Sequence, residues 1–232
     1  MSNIEYLESE ESSLGIVCLR KRELLSRPGM VVHELTLDHH YLMSTCNTAS
    51  ERALASRSIE THGGRDLDVL VGGLGLGYTA AAVLESPAVR HLEVVEFLSP
   101  VVDWVRDGRV PLSPVLLADD RFHTRVDDVY GELWAPPERQ WDLVLVDVDH
   151  SPEEPLGRES ERFYSEAGLR HAKAHLKPGG ILGVWSHAPC APFVARLEGV
   201  FERVWTESID FRNPLLDPDE AAETNWLFFA RA

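Results

Sequence analysis

Leu67-Asp68-Val69-Leu70-Val71-Gly72-Gly73-Leu74-Gly75-Leu76-Gly77-Tyr78-Thr79 reads as a strand, a glycine-rich turn and the start of a helix. The β-branched apolar run suits a parallel strand covered on both faces. The glycines permit positive φ and let a ligand approach the backbone closely. Thr79 to Glu85, with three alanines at its centre, is built of good helix formers. α/β proteins build the first loop of a nucleotide site in this way, so Gly72, Gly73, Gly75 and Gly77 are the candidate ligand-contacting glycines. The spacing is Gly73-x-Gly75-x-Gly77, and Tyr78 stands where a dinucleotide fingerprint needs its last glycine. That favours an adenosine ligand without a pyrophosphate, such as S-adenosylmethionine, over NAD or FAD.

Outward from this loop the chain alternates strand and helix patterns. Strands are expected at 67–72, 91–96, 114–118, 142–147 and 180–186. Helices are expected near 76–87, 98–107, 122–133, 161–176 and 190–200. Two further strands, near 203–210 and 224–230, close the sequence as a hairpin. Such alternation predicts an α/β fold, a doubly wound and mostly parallel seven-stranded sheet with right-handed crossovers. This fits the class I methyltransferase, Rossmann-like architecture.

Residues 14–20, 30–37 and 40–44 are strand-like, separated by the turn signals Ser26-Arg27-Pro28-Gly29 and Asp38-His39. They predict a small N-terminal antiparallel β-sheet over 1–47, with a helix from Ser50 to Arg57 opening a ligand-binding catalytic domain over 48–232.

The chain has 232 residues, 44% of them hydrophobic, which supports a substantial core. The net charge of −16 argues against a nucleic-acid partner, since phosphate binding needs a basic face. It is compatible with a small cationic substrate. Cys18, Cys46 and Cys190 lie far apart and read as free thiols of a reducing compartment. The acidic, polar start of the chain is unlike a signal peptide. No run of 18 apolar residues offers a membrane span. A cytoplasmic protein is the expectation.

Ligands of such sheets bind outside the carboxyl ends of the strands, and acids cluster there in the sequence. Glu96 ends the second expected strand, about twenty residues past the glycine loop, where a carboxylate can accept from both ribose hydroxyls. Asp119 and Asp120 follow the third; one can accept from an adenine amino group, and Asp also caps helices well. The fourth expected strand runs into Asp147-Val148-Asp149-His150. A carboxylate there can anchor a cationic amine and take a proton as the amine attacks, and His150 is the alternative base. Asp147, Asp149 and His150 are therefore the catalytic candidates, and Trp185-Ser186-His187 is expected near the site. Asp38-His39-His40 with His33 suggests a metal, but adjacent histidines on a strand point to opposite faces, so no metal is expected.

With these residues in place, the chain resembles the spermidine synthase-like polyamine aminopropyltransferases of the class I S-adenosylmethionine fold. The entry sheet ending near Leu37-Asp38, the glycine loop, Glu96, Asp119, Asp147, Phe163-Tyr164 and Leu176-Lys177-Pro178-Gly179-Gly180 fall in family order. The resemblance implies that Glu96 holds the ribose, Asp119 the adenine, and Asp147 orients and deprotonates an attacking amine. The co-substrate would be S-adenosylmethionine or its decarboxylated form, the partner a small amine, and the assembly a homodimer. Departures are specific. The family's glycine loop carries an acid where Leu76 stands, and methyltransferases carry one at the position of Val71. The family's Gln, Asp-Glu pair and Tyr around the amine channel correspond to Leu42, Asn47-Thr48 and Glu51. Methyl transfer to a small molecule and a non-catalytic nucleoside-binding role are the alternatives this leaves open.

Overall fold

The computed structural model describes residues 4–213 and 222–232. Four antiparallel strands come first: β1 (Ile4–Ser12), β2 (Gly15–Glu23), β3 (Val31–Leu37) and β4 (His40–Ser44), in the order β1-β2-β3-β4. Asp38 and His39 have φ of 46° and 69°, the positive values a tight hairpin turn requires, so these residues make the β3–β4 turn. Buried Glu34 accepts from Arg20 Nε and Arg22 Nε at 2.8 and 2.7 Å, which neutralises a carboxylate inside the sheet. The first strand is not expected from the sequence. Its side chains are mostly exposed, so it carries no apolar alternation.

Helix α1 (Ala49–His62) leads through Gly63 to β5 (Leu67–Gly72), followed by α2 (Tyr78–Leu84), β6 (Val89–Glu96), α3 (Ser99–Arg106) and α4 (Ser113–Leu117). Then come β7 (Phe122–Val126), α5 (Val129–Trp134), β8 (Trp141–Val146), α6 (Arg158–Phe163), α7 (Glu166–Ala174) and β9 (Leu176–Ser186). Helix α8 (Ala191–Glu198), β10 (Arg203–Arg212) and β11 (Ala222–Arg231) complete the fold. The seven strands lie in the order β10-β11-β9-β8-β5-β6-β7. The pairs β7–β6, β6–β5, β5–β8 and β8–β9 are parallel, while β11 pairs antiparallel with both β9 and β10. The expected α/β class is thus observed, terminal hairpin included.

The main differences lie between 113 and 133. The expected strand at 114–118 is helix α4, and the expected helix at 122–133 is strand β7 followed by α5. Val115-Leu116-Leu117 is too short for its period to be read, and Pro114 favours a helix's first turn. Phe122-His123-Thr124-Arg125-Val126 is a half-covered edge strand, so it lacks the apolar run that marks its neighbours. The expected helix over 161–176 is divided in two, because the Ser165 side chain accepts from Gly168 N and begins α7 afresh.

Strand β5 is buried along its whole length. One face of the main sheet packs on α1, α2, α3 and the N-terminal sheet, the other on α5 to α8. Trp104 Nε1 donates to Glu10 Oε1 at 2.7 Å, tying α3 to β1. The chain runs from β5 outward to β7 and returns to β8 on the other flank of β5. This reversal opens a crevice at the carboxyl ends of β5 and β8.

Candidate active site

A cavity of about 340 Å³ fills that crevice. Gly73 and Gly75 line it from the loop after β5, Glu96 and Phe97 from the end of β6, Asp127 and Asp128 from the end of β7. Asp147, Asp149 and His150 line it from the end of β8, Trp185 from β9, and residues 156–160 from the segment entering α6. Leu14, Leu35, Leu37, Leu42 and Met43 of the N-terminal sheet, with Glu51 of α1, form the remaining wall.

The glycine loop has the conformation its sequence requires, with φ of 92°, 49° and 88° at Gly73, Gly75 and Gly77. Glu96 holds it in place. One carboxylate oxygen accepts from Leu74 N at 2.8 Å and Gly75 N at 3.4 Å, and the other from Leu98 N at 2.9 Å. Burial pushes this carboxyl up, against the opposing pull of those amides. Gly72 and Gly77 are not on the cavity wall. A side chain at Gly72 would meet Val129, and one at Gly77 would meet Leu116, so both glycines serve packing.

Asp119 and Asp120 are likewise not brought to the cavity, which corrects the sequence reading. They precede β7 instead of following it. Asp119 is bound by Arg121, whose guanidinium also caps the carbonyls of Leu84, Ser86 and Val89. Asp120 is exposed. The acids at the carboxyl end of this strand are Asp127 and Asp128, recognisable in the sequence once β7 is placed correctly. Asp128 caps α5 by accepting from Tyr130 N at 2.9 Å, and Asp127 pairs with Arg125 at 2.6 Å.

Beyond β8 the two acids differ. Asp149 is almost wholly buried and committed: Tyr130 Oη donates to it at 2.5 Å and Leu156 N at 2.8 Å. Burial raises its carboxyl, and raises the Tyr130 and Tyr164 hydroxyls beside it well above their ordinary range. Those hydroxyls therefore stay protonated, and Asp149 fastens the 150–157 segment to α5. Asp147 keeps part of its surface open to the cavity. It accepts from buried Thr79 Oγ1 at 2.6 Å, and burial pushes its carboxyl up to about 6. His150 lies on the wall nearby, edge-on to His187 with ring centroids 6.4 Å apart.

The sequence marks Glu51 as a departure at a channel position; the structure makes it half of a carboxyl pair. Its side chain accepts from Ser50 Oγ at 2.8 Å, and Ser50 in turn accepts from Asn225 Nδ2 at 2.8 Å. Burial, then the charge of Asp147, push Glu51 up to about 7. A raised carboxyl costs stability once ionised. Between about pH 4.5 and 7 the folded chain holds more protons here than the unfolded chain, so stability falls as pH rises. Glu51→Gln is expected to match the parent near pH 4.5 and to be more stable at pH 8 by on the order of 1–2 kcal/mol. Urea unfolding at the two pH values measures this; equal stability at both would remove the buried-pair assignment.

The positions of the two missing loop acids are filled from the core. Leu76 and Val71 are fully buried, and Leu76 N lies 3.1 Å from Met43 Sδ. Cys18, Cys46 and Cys190 are free thiols. No group of three metal-ligating side chains occurs among the described residues, and no helix there is long and apolar enough to cross a membrane.

Among solved structures, a spermidine synthase in complex with the transition-state analogue AdoDATO matches with a TM-score of 0.74 at 16% identity, covering 97% of this chain and 73% of that one. The spermidine synthase from Thermotoga maritima matches at 0.73 and 16%, covering 97% and 72%. This chain has the spermidine synthase fold. A probable spermidine synthase from Corynebacterium glutamicum ATCC 13032 shares that fold at a TM-score of 0.65 and 16% identity, over 97% of this chain and 79% of the other. The aminopropyltransferase resemblance is borne out in sequence as well. The polyamine aminopropyltransferase of Prochlorococcus marinus strain MIT 9313 is 27% identical over 121 residues, 52% of this chain and 41% of that protein. That of strain NATL1A is 25% identical over 122 residues, 53% of this chain and 41% of its own. The matched stretch thus spans about two fifths of these relatives. No protein-family model matches the chain.

Proposed function

We propose that this chain transfers an alkyl group, aminopropyl in the leading reading, from an adenosyl sulfonium donor to an amine. The observation that carries this is Asp147: a carboxyl raised to about 6, at the end of the central strand β8, open to the cavity and beside the glycine loop. The amine nitrogen attacks the carbon next to the sulfonium. The C–N bond forms, the C–S bond breaks, and the electron pair returns to sulfur, leaving a neutral thioether. Asp147 takes a proton from the bound ammonium beforehand, which frees the nitrogen lone pair for this attack, and the product is a secondary ammonium. Holding both reactants in line supplies much of the acceleration.

The donor, S-adenosylmethionine or its decarboxylated form, would place its ribose on the remaining acceptor capacity of Glu96. Its adenine would lie by Phe97 and Val129, with Asp127 or Asp128 in the role first assigned to Asp119. The homodimer belongs to the same reading, supported by Ile4, Tyr6, Ile16, Val31 and Tyr41, large apolar side chains exposed on the N-terminal sheet.

Calorimetry with methylthioadenosine, S-adenosylhomocysteine, S-adenosylmethionine and its decarboxylated form tests the reading. Methylthioadenosine is expected to bind, and a mixture of amine and decarboxylated donor to release it. Release of S-adenosylhomocysteine from S-adenosylmethionine instead would make the chain a methyltransferase, and binding of none of the four would end the donor assignment. Light scattering on the same sample reads the dimer as about twice 26.0 kDa.

A further inference from the structure

We infer that the acceptor is an amine with one cationic end and an aliphatic tail, its ammonium held between Glu51 and Asp147 and its tail against the leucines of the N-terminal sheet. This rests on the amine-acceptor reading above and narrows it. The cavity is chemically divided. Glu51 and Asp147 line the same cavity, and the charge of Asp147 acts on Glu51. Both are held by hydroxyl donors, Ser50 and Thr79, and neither forms an ion pair among the described residues. One ammonium between them offsets the charge that Asp147 imposes on Glu51, since an opposite charge nearby favours the ionised carboxylate.

The other carboxylates of the wall are already engaged. Glu96 is bound by backbone amides, Asp149 by Tyr130 and Leu156, Asp128 by Tyr130 N, Asp127 by Arg125 and Glu159 by Arg162. The N-terminal sheet lines the same cavity with Leu14, Leu35, Leu37, Leu42 and Met43. Leu42 is on this wall, and the polar Asn47 and Thr48 that follow β4 are not. A diamine entering here would bring its second ammonium against aliphatic carbon, where it must shed its proton or stay unpaired. An alkyl chain in the same place gains from every methylene it buries.

The test compares hexylamine with 1,6-diaminohexane, equal in carbon length, by calorimetry on the full chain loaded with methylthioadenosine. Methylthioadenosine is titrated first, so a failed donor reading shows itself before any amine is added. Hexylamine is expected to bind roughly 100-fold more tightly than the diamine. Glu51→Gln is expected to weaken hexylamine at least about tenfold while methylthioadenosine affinity stays within about twofold. Leu42→Glu, which returns an acid to the apolar wall, is expected to narrow the preference to about tenfold or less. Equal or tighter binding of the diamine overturns the inference. So does a Glu51→Gln protein that loses methylthioadenosine along with the amine, because that is the mark of a structural residue. Failure of the loaded protein to bind either amine overturns it as well.

Discussion

Asp147→Asn is expected to lower turnover by roughly 10²–10⁴-fold, the range a positioned general base contributes, and to leave methylthioadenosine affinity within about threefold. The substitution conserves shape. Thr79 Oγ1, 2.6 Å from the carboxylate, donates equally well to an amide oxygen, and Asp147 N keeps its 2.9 Å bond to Gly72 O. The glycine loop therefore stays in place, and so does the adenosine half of the donor's site. What disappears is the proton acceptor and half of the charge facing the ammonium. Because burial holds the native carboxyl up at about 6, the neutral amide also removes a desolvation cost, so the variant should fold at least as well as the parent above neutral pH. Initial rates of methylthioadenosine release, with the thioether's binding measured alongside, separate the two effects. An Asn variant with full turnover would pass the base role to another group, and His150, also on the cavity wall, is the next to replace. Loss of thioether binding together with turnover would mean that Asp147 holds the loop and takes no part in the chemistry.

The central half of this site is legible in the sequence because each of its parts is a local constraint. The buried strand announces itself by the apolar run Val69-Leu70-Val71, and the loop after it by glycines with positive φ. Glu96 ends β6 and Asp147 directly follows β8, both strands that the apolar pattern marks in the sequence. The acids at the end of β7 are harder to place from sequence, for an equally local reason. Val115-Leu116-Leu117 has the composition of a strand, while the true edge strand 122–126 has exposed His123 and Val126 and no such run. With this pair of elements exchanged, Asp119-Asp120 falls at the end of an expected strand, whereas Asp127-Asp128 follows the observed one. Other features depend on tertiary packing. Glu51 lies far from Asp147 in sequence and reads alone as an ordinary helical acid; only the packing of α1 against the crevice makes the pair. Leu76 reads as a missing charge, and the structure adds that a core side chain occupies its place. The wall of leucines needs the N-terminal sheet folded over the crevice before its chemistry appears.

Gly73→Ala carries the second large effect, and Gly29→Ala is its control. Both glycines have strongly positive φ, 92° and 87°, so alanine at either pays a backbone penalty of about 1–2 kcal/mol. Their surroundings differ. A Cβ at Gly29 meets nothing within 4 Å, whereas one at Gly73 would sit 2.2 Å from the Asp147 carbonyl oxygen and 3.3 Å from Val148 Cγ2. These are backbone and packed neighbours at the point where β5 and β8 part, and Gly73 N is itself bound to Val95 O at 2.9 Å. Relief requires the two strand ends to move apart, an overpacking cost of about 1–3 kcal/mol more. Gly73→Ala is therefore expected to lose about 2–5 kcal/mol in urea unfolding, against about 1–2 for Gly29→Ala. Methylthioadenosine binding should be abolished in the first and unchanged in the second, because only the first displaces the loop and Asp147 together. If the two variants lose equal stability, the loop tolerates a side chain where the crevice narrows, and Gly73 is required for its φ alone. If Gly73→Ala is destabilised as expected yet still binds the thioether, the adenosine does not lie against this loop.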